Sequence, residues 1–453
     1  MSNNLSSEKQ KIDQILSLVQ EVIDSRKPSW TAGEDWVYYA GPYFNSEEYI
    51  ETVSTLLDGW LVLGAKGTEF EKKFSSIYEK EYGILTNSGS SANLLMMASM
   101  TSKRLYNLPK GTKVITPIAG FPTTLNPILQ VGFEPVFVDI EIDTLNMDID
   151  QIDEKCSKDP EIKIITFAHV LGNPPNMDKL MSVIKKHNLI LLEDCCDALG
   201  STYRGKPLGS FGEMSSCSFY PAHHITMGEG GFVAVNNRQQ EKVVRSFRDW
   251  GRGCWCVGKK ASTSRKGVCG KRFSCWLKEL PEEIFDHKYV YEEIGYNAKP
   301  IEMQAAMGLA QLNKLDEISE KRKKNYDLLY NIFKKYENYF HLPIATEHSD
   351  PSWFAFPLTI RDGSPFKRSD ITSFYESNKI QTRTYFAGNI LLQPAYRHLM
   401  DAKDVINNYP VARKVTTDTF FLGTSPVITD EQIEYIGNKT DEFMELLING
   451  EQF

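Results

Sequence analysis

The 453-residue chain lacks any apolar run near the ~20 residues needed to span a membrane. No basic stretch followed by an apolar core opens it, so no secretory signal is visible. It lacks a basic excess: 51 lysines and arginines face 59 acidic residues, a net charge of −8, which argues against a nonspecific nucleic-acid binder. Repeats and low-complexity tracts are absent. The expectation is a soluble, cytoplasmic protein with no membrane and no nucleic-acid partner. Eight cysteines are few for a disulfide framework in a cytosolic chain of this length, and read as packing residues or metal ligands.

What is present is an ordinary globular balance, 41% hydrophobic and 24% charged, in a length that suggests two or three domains. Ile12, Ile15, Leu16, Val19, Val22 and Ile23 repeat at helical spacing near the N-terminus. An aromatic-rich link follows, and the spacing predicts a helix over 46–58 and another starting at 70–74. Short apolar strands are expected at 82–86, 113–117, 135–139, 162–168 and 189–193, with helical segments between them such as 177–187. Repeated βα units imply a parallel sheet covered on both faces, with ligands beyond the carboxyl ends of the strands.

Four features stand at those ends: Phe121, His169, Asp194, and a turn carrying His223 and His224 between strands ending at Ser218 and beginning near Phe232. Asn87-Ser88-Gly89-Ser90-Ser91 puts free backbone N–H groups and hydroxyls at a helix N-terminus, which suits an anion. Taken alone, each has a bland reading. Ser-rich caps are common without ligands, adjacent histidines occur in solvated turns, and Phe121 could be core. From Arg248 to Tyr296 the sequence is irregular and rich in Trp, Cys, Gly and Lys, which reads as a functional loop. One long helix is expected over 302–322, strands over 354–361 and 380–385, and a last helix over 430–447, forming a smaller α+β domain. The expected division is an N-terminal helix and arm (1–45), a large domain (46–300) with a cysteine loop at about 250–275, and a small domain (301–453).

The ordered motifs Asn87 to Ser91, Ala119-Gly120-Phe121-Pro122-Thr123, Glu193-Asp194, Gly228-Glu229-Gly230-Gly231 and Gly295-Tyr296-Asn297 resemble the DegT/DnrJ/EryC/StrS sugar aminotransferase family of fold type I pyridoxal-phosphate enzymes. The resemblance covers nearly the whole chain after about Pro42. His223 in the lysine position and Cys254-Trp255-Cys256 look like one branch, the CDP-6-deoxy-4-hexulose 3-dehydrases, and Phe386-Ala387-Gly388-Asn389 with Gln393-Pro394 strengthens it. The resemblance implies an α/β fold with a mostly parallel sheet between helices, and a homodimer with shared sites. It implies pyridoxamine 5′-phosphate and a [2Fe–2S] cluster as cofactors. Its substrate would be a nucleotide-linked 4-keto-6-deoxyhexose, and its electron donor a separate NADH-dependent iron–sulfur flavoprotein reductase. The product would be a 3,6-dideoxysugar for lipopolysaccharide O-antigen.

Residue by residue, the resemblance implies that Gly89, Ser90 and Ser218 hold the cofactor phosphate, and that Asn297 reaches it from the neighbouring subunit. Phe121 would stack on the ring, and Asp194 would keep the pyridine nitrogen protonated. His223, by its five-residue step from Ser218, takes the place of the lysine and His224 does not. An imidazole forms no imine, but with a reference pKa near ~6.5 it can act as a general base at neutral pH. Cys196, Cys254, Cys256 and Cys269 give the spacing C-x57-C-x-C-x12-C, suitable for a [2Fe–2S] cluster. The family's last gap is shorter, closer to seven, and the basic insert 258–267 lengthens it here. Cys275 is the fallback for Cys269, a structural zinc suits the same four thiols, and the insert reads either as a docking loop for an acidic redox partner or as a solvated charged loop. Cys156 and Cys217 are expected to be packing residues. Two rival readings stand: a cluster-independent 3-dehydratase, and a degenerate aminotransferase serving as a regulator or scaffold.

Overall fold

The computed structural model describes residues 2–27, 29–254 and 272–450. Helix α1 (Ser2–Asp24) leads through an extended arm to α2 (Ser46–Asp58), whose start is fixed by a capping box between Asn45 and Glu48. After α3 (Ala65–Ile77), seven strands build the large sheet: β1 (Tyr82–Thr86), β2 (Lys113–Pro117), β3 (Glu134–Val138), β4 (Ile162–Ala168), β5 (Ile190–Asp194), β6 (Met214–Ser218) and β7 (Gly231–Val235). Their order is β1-β7-β6-β5-β4-β2-β3. Strand β7 is antiparallel to both β1 and β6, and the other neighbours are parallel.

The crossovers include α4 (Gly89–Ser99), α5 (Pro122–Gln130), α6 (Ile149–Lys158) and α7 (Met177–His187); α8 (Arg238–Arg248) follows β7. Successive residues of the strands point to opposite faces. Ile84, Val114, Ile164 and Leu192 therefore join one core, and Leu85, Ile115, Ile165 and Leu191 join the other. A third core lies in the smaller domain, where an antiparallel sheet of β8 (Phe340–His341), β9 (Ala355–Ile360), β10 (Arg383–Thr384) and β11 (Thr419–Gly423) runs in the order β8-β9-β11-β10. No helix among the described residues is long and apolar enough to cross a membrane.

Three expectations change. The helix expected over 302–322 is two helices, α9 (Glu302–Leu312) and α10 (Leu315–Lys334). The break turns the Lys314 ammonium onto buried Glu48 at 2.6 and 2.8 Å, while Gln311 reaches the same carboxylate at 2.6 Å. The strand expected over 380–385 shortens to β10, because Lys379 and Gln381 bond instead to Val37 of the N-terminal arm. His169 does not join the other strand-end residues. It is fully buried and its Nε2 lies 3.0 Å from Glu193 Oε2.

Strand β1 carries the chain to the N-terminus of α4, and a buried charge network sets its position. Glu71 of α3 accepts from Arg245 Nη1 and Nη2 at 3.0 and 2.7 Å and from Leu85 N at 2.9 Å. Arg245 and Arg248 of α8 also donate to the carbonyls of Gly83 and Leu85 at 3.1 and 3.0 Å. Removing Glu71 leaves the buried Arg245 guanidinium with Glu241 as its one carboxylate partner, leaves Arg248 with Asp249, and strips Leu85 N of its acceptor. Glu71→Ala is expected to cost about 3–5 kcal/mol in urea unfolding; a loss under 1 kcal/mol would assign the network no structural role.

Candidate active site

The site begins where β1 ends. Ser88 caps α4 with extended backbone, its hydroxyl accepting from Ser91 N at 3.1 Å, which leaves the first N–H groups of the helix open to an anion. Two glycines let other chain segments close around this cap. A Cβ at Gly89 would lie 2.5 Å from Ser218 Cβ and 3.0 Å from Cys196 Sγ, and one at Gly231 would lie 2.2 Å from the Ser88 carbonyl. Gly231 opens β7, so the Gly-Glu-Gly-Gly turn brings the hairpin of β6 and β7 against the helix terminus.

Asp194, at the end of β5, is buried, and its carboxylate is held from several sides. It accepts from Asn93 Nδ2 at 2.7 Å, Thr124 Oγ1 at 2.9 Å and Cys196 N at 3.1 Å. Asn93 is held in turn by the Ser216 hydroxyl at 2.6 Å. The result is a fixed acidic group on the cavity wall. Cys196 follows on the same wall, and burial and the Asp194 carboxylate push its thiol well up.

The turn after β6 separates the two histidines. His224 is buried, with Nε2 2.7 Å from the Ser352 carbonyl, and burial, then the Arg322 guanidinium, hold its ring well below the usual histidine range. His223 faces the cavity, its Nδ1 3.4 Å from Asp197 Oδ1 and its ring 5.3 Å from that of Phe354. Arg322, fully buried on α10, fixes this turn by donating to the carbonyls of Ala222 and His223 at 3.3 and 3.1 Å and of Phe354 at 3.1 Å.

These groups line one cavity of about 610 Å³. It brings together seven of the residues expected from the sequence: Gly89, Ser90, Phe121, Asp194, Cys196, Ser218 and His223. Phe121, half exposed at the start of α5, packs edge-on to Phe386 at 6.0 Å. Cys254 is not part of the lining, and Cys256 and Cys269 lie outside the described residues. Asn297 is also not in the lining. It is exposed, and its side-chain oxygen accepts from Lys299 Nζ at 2.8 Å. Cys275 is exposed, whereas Cys156 and Cys217 are buried as packing residues.

Sequence reasoning missed Asp197, Arg322, Tyr39 and Arg383. Asp197 stood next to Cys196 and was legible as a further strand-end carboxylate. Arg322 looked like one more polar residue of a long helix. Tyr39 and Arg383 meet only because the arm pairs with the small domain.

An open helix N-terminus, a buried carboxylate and an exposed aromatic at the ends of parallel strands, closed over by a smaller α+β domain, define the frame of a fold type I enzyme. The match to the family model of the DegT/DnrJ/EryC1/StrS aminotransferase family spans residues 44–441, and the chain belongs to that family. It is 41% identical to the lipopolysaccharide biosynthesis protein RfbH of Salmonella typhimurium, over 98% of this chain and 99% of the relative. It is 39% identical to a dTDP-4-dehydro-2,6-dideoxy-D-glucose 3-dehydratase of Saccharopolyspora spinosa, over 95% and 92%. Among solved structures it resembles a GDP-4-keto-6-deoxymannose-3-dehydratase with a trapped PLP–glutamate geminal diamine, at TM-score 0.75 and 28% identity, over 89% of this chain and 99% of that one.

The buried His224 yields a pH prediction. Its folded-state pKa is depressed, so its contribution to stability is full above the unfolded value near ~6.5 and is lost as pH falls below it. In thermal or urea unfolding, the stability gap between wild type and His224→Gln should narrow by up to about 1.4 kcal/mol per pH unit below 6.5. A gap independent of pH between 7.5 and 5.5 would contradict a neutral buried ring.

Proposed function

We propose that this chain is a pyridoxamine 5′-phosphate- and [2Fe–2S]-dependent 3-dehydrase that removes the C3 hydroxyl of a nucleotide-linked 4-keto-6-deoxyhexose. Its product would be a 3,6-dideoxysugar for lipopolysaccharide O-antigen. One observation carries the reading: His223 faces the cavity, and no lysine stands among the described residues lining it. A site with imidazole and no amine can do proton transfer but cannot tether the cofactor.

The residues present fit such a cofactor. The N-terminus of α4 at Gly89 and Ser90, with Ser218 beside it, would take the phosphate, and Asp194 would face the pyridine nitrogen. Phe121 would cover the ring. Asn297, exposed in one protomer, would serve the phosphate of a second copy, which makes the working unit a homodimer. When bound, the cofactor supplies an amine for the substrate ketone and a ring that stores electrons.

The chain's own residues then divide the work. His223 Nδ1 faces Asp197, so Nε2 is the atom that accepts and returns the proton, and the Arg322 clamp fixes the backbone that carries the imidazole. Phe354, Phe386 and Phe421 exclude water on the small-domain side. Cys196, Cys254, Cys256 and Cys269 would hold the cluster, which supplies electrons singly, from a separate NADH-dependent iron–sulfur flavoprotein reductase. Binding there must displace the Cys196 proton that burial and Asp194 retain.

The rival reading is a cluster-independent 3-dehydratase that regenerates its cofactor amine from glutamate. It is favoured by the likeness to the dehydratase trapped with PLP and glutamate. Anaerobic purification with iron and sulfide counts separates the two: about two irons per chain are expected, and none supports the rival. Turnover on CDP-, dTDP- and GDP-linked 4-keto sugars assigns the nucleotide, and no conversion with reductase present leaves the scaffold reading. His223→Asn should lower C3–O cleavage by at least about 100-fold. Retained turnover would remove His223 from the chemistry.

A further inference from the structure

The proposed substrate carries a diphosphate, and the cavity is short of positive charge to meet it. On the reading proposed above the N-terminus of α4 takes the cofactor phosphate, and the wall already holds the carboxyl groups of Asp194 and Asp197. Among the described lining residues the one lysine or arginine is Arg383, on β10 of the small domain. A dianion entering this cavity next to two acidic residues needs that charge.

The guanidinium of Arg383 is oriented by its neighbours. Nη1 donates to the Thr382 carbonyl at 2.8 Å, and the guanidinium carbon stands 4.6 Å from the centre of the Tyr39 ring. These contacts orient the fork, and no described carboxylate pairs with it at ion-pair distance. Tyr39 is itself fixed. Its N–H donates to Gln381 Oε1 at 3.2 Å, its ring packs edge-on to Phe421 at 5.9 Å, and Val37 bridges to Ile380 in parallel register. Burial raises the Tyr39 phenol above its ordinary value, partly offset by Arg383, so it stays a hydrogen-bond donor at neutral pH. Arg383 is solvent-exposed while His223 is largely covered, so an anion at Arg383 would sit towards the outside with a sugar directed inward.

We infer that Arg383, braced on Tyr39, is the subsite for the diphosphate of the nucleotide-linked substrate. This rests on the substrate class proposed above. An arginine fork suits two phosphoryl oxygens at once, which a lysine ammonium does not.

The test is calorimetric titration of the full-length protein with CDP, dTDP and GDP, and separately with L-glutamate, for wild type, Arg383→Gln and Arg383→Lys. Arg383→Gln is expected to weaken the best-bound nucleoside diphosphate about 10- to 100-fold, with Arg383→Lys in between and the unfolding midpoint unchanged. The matching kinetic expectation is a raised KM with kcat largely kept. Wild-type binding that Arg383→Gln leaves unchanged overturns the subsite alone. So does a variant that keeps nucleoside diphosphate but loses L-glutamate, which would make Arg383 a carboxylate anchor. Wild type that binds none of the three nucleotides overturns the substrate class, and the subsite with it.

Discussion

A single buried cation ties the site together. Arg322 belongs to α10, yet its guanidinium lies under the histidine turn of the large domain and under the 353–354 segment that enters the small-domain sheet. Burying a charge is costly unless every donor finds an acceptor. Here Nη1 and Nη2 find backbone carbonyls while Nε finds no acceptor among the described residues, so the clamp fixes the path of the chain rather than the rotamer of one partner. Burial draws the guanidinium pKa down to about 9, opposed by Asp197, so it remains charged at neutral pH. The same positive charge, with burial, keeps His224 neutral, and Asp197 is shared with His223. One cation therefore holds the turn and gives the two histidines different surroundings.

The second constraint is close approach. Strand β7 runs against the direction of its neighbours, and its first residue touches the cap of α4 with no room for a side chain. Without Gly231 the hairpin would stand off, and Ser218 would move away from the helix terminus. Gly89 plays the matching role from the helix side. The open approach to this terminus thus depends on steric tolerance at Gly89 and Gly231.

Much of this was legible in the sequence, for identifiable reasons. The βα pattern reports strands buried on both faces, whose apolar runs are hard to mistake, and 177–187 and 46–58 carry capping residues at both ends or in a box. The five-residue step from Ser218 distinguishes His223 from His224, and in the fold His223 faces the cavity while His224 is buried. What stayed hidden depended on chain segments far apart in sequence. The break at Lys314 answers to Glu48, the shortening of β10 answers to Val37, and the retreat of His169 answers to Glu193. Periodicity reports only a segment's own face, so a partner hundreds of residues away cannot appear in it.

The N-terminal arm then has a reason to exist. Residues 37–39 are too short to add a stable strand on their own. Their pairing with 379–381 is worth keeping because it delivers Tyr39 to the cavity and fixes the segment leading into Arg383. The wall across from Asp194 is thereby assembled from two distant pieces of chain, and its shape follows from their pairing. Changes in the arm are then felt at the mouth of the cavity, while the end that holds Asp194 and the terminus of α4 is built from the large sheet with helices α4 and α5. On the reading proposed above, substrate preference can drift on one wall without disturbing the cofactor frame on the other.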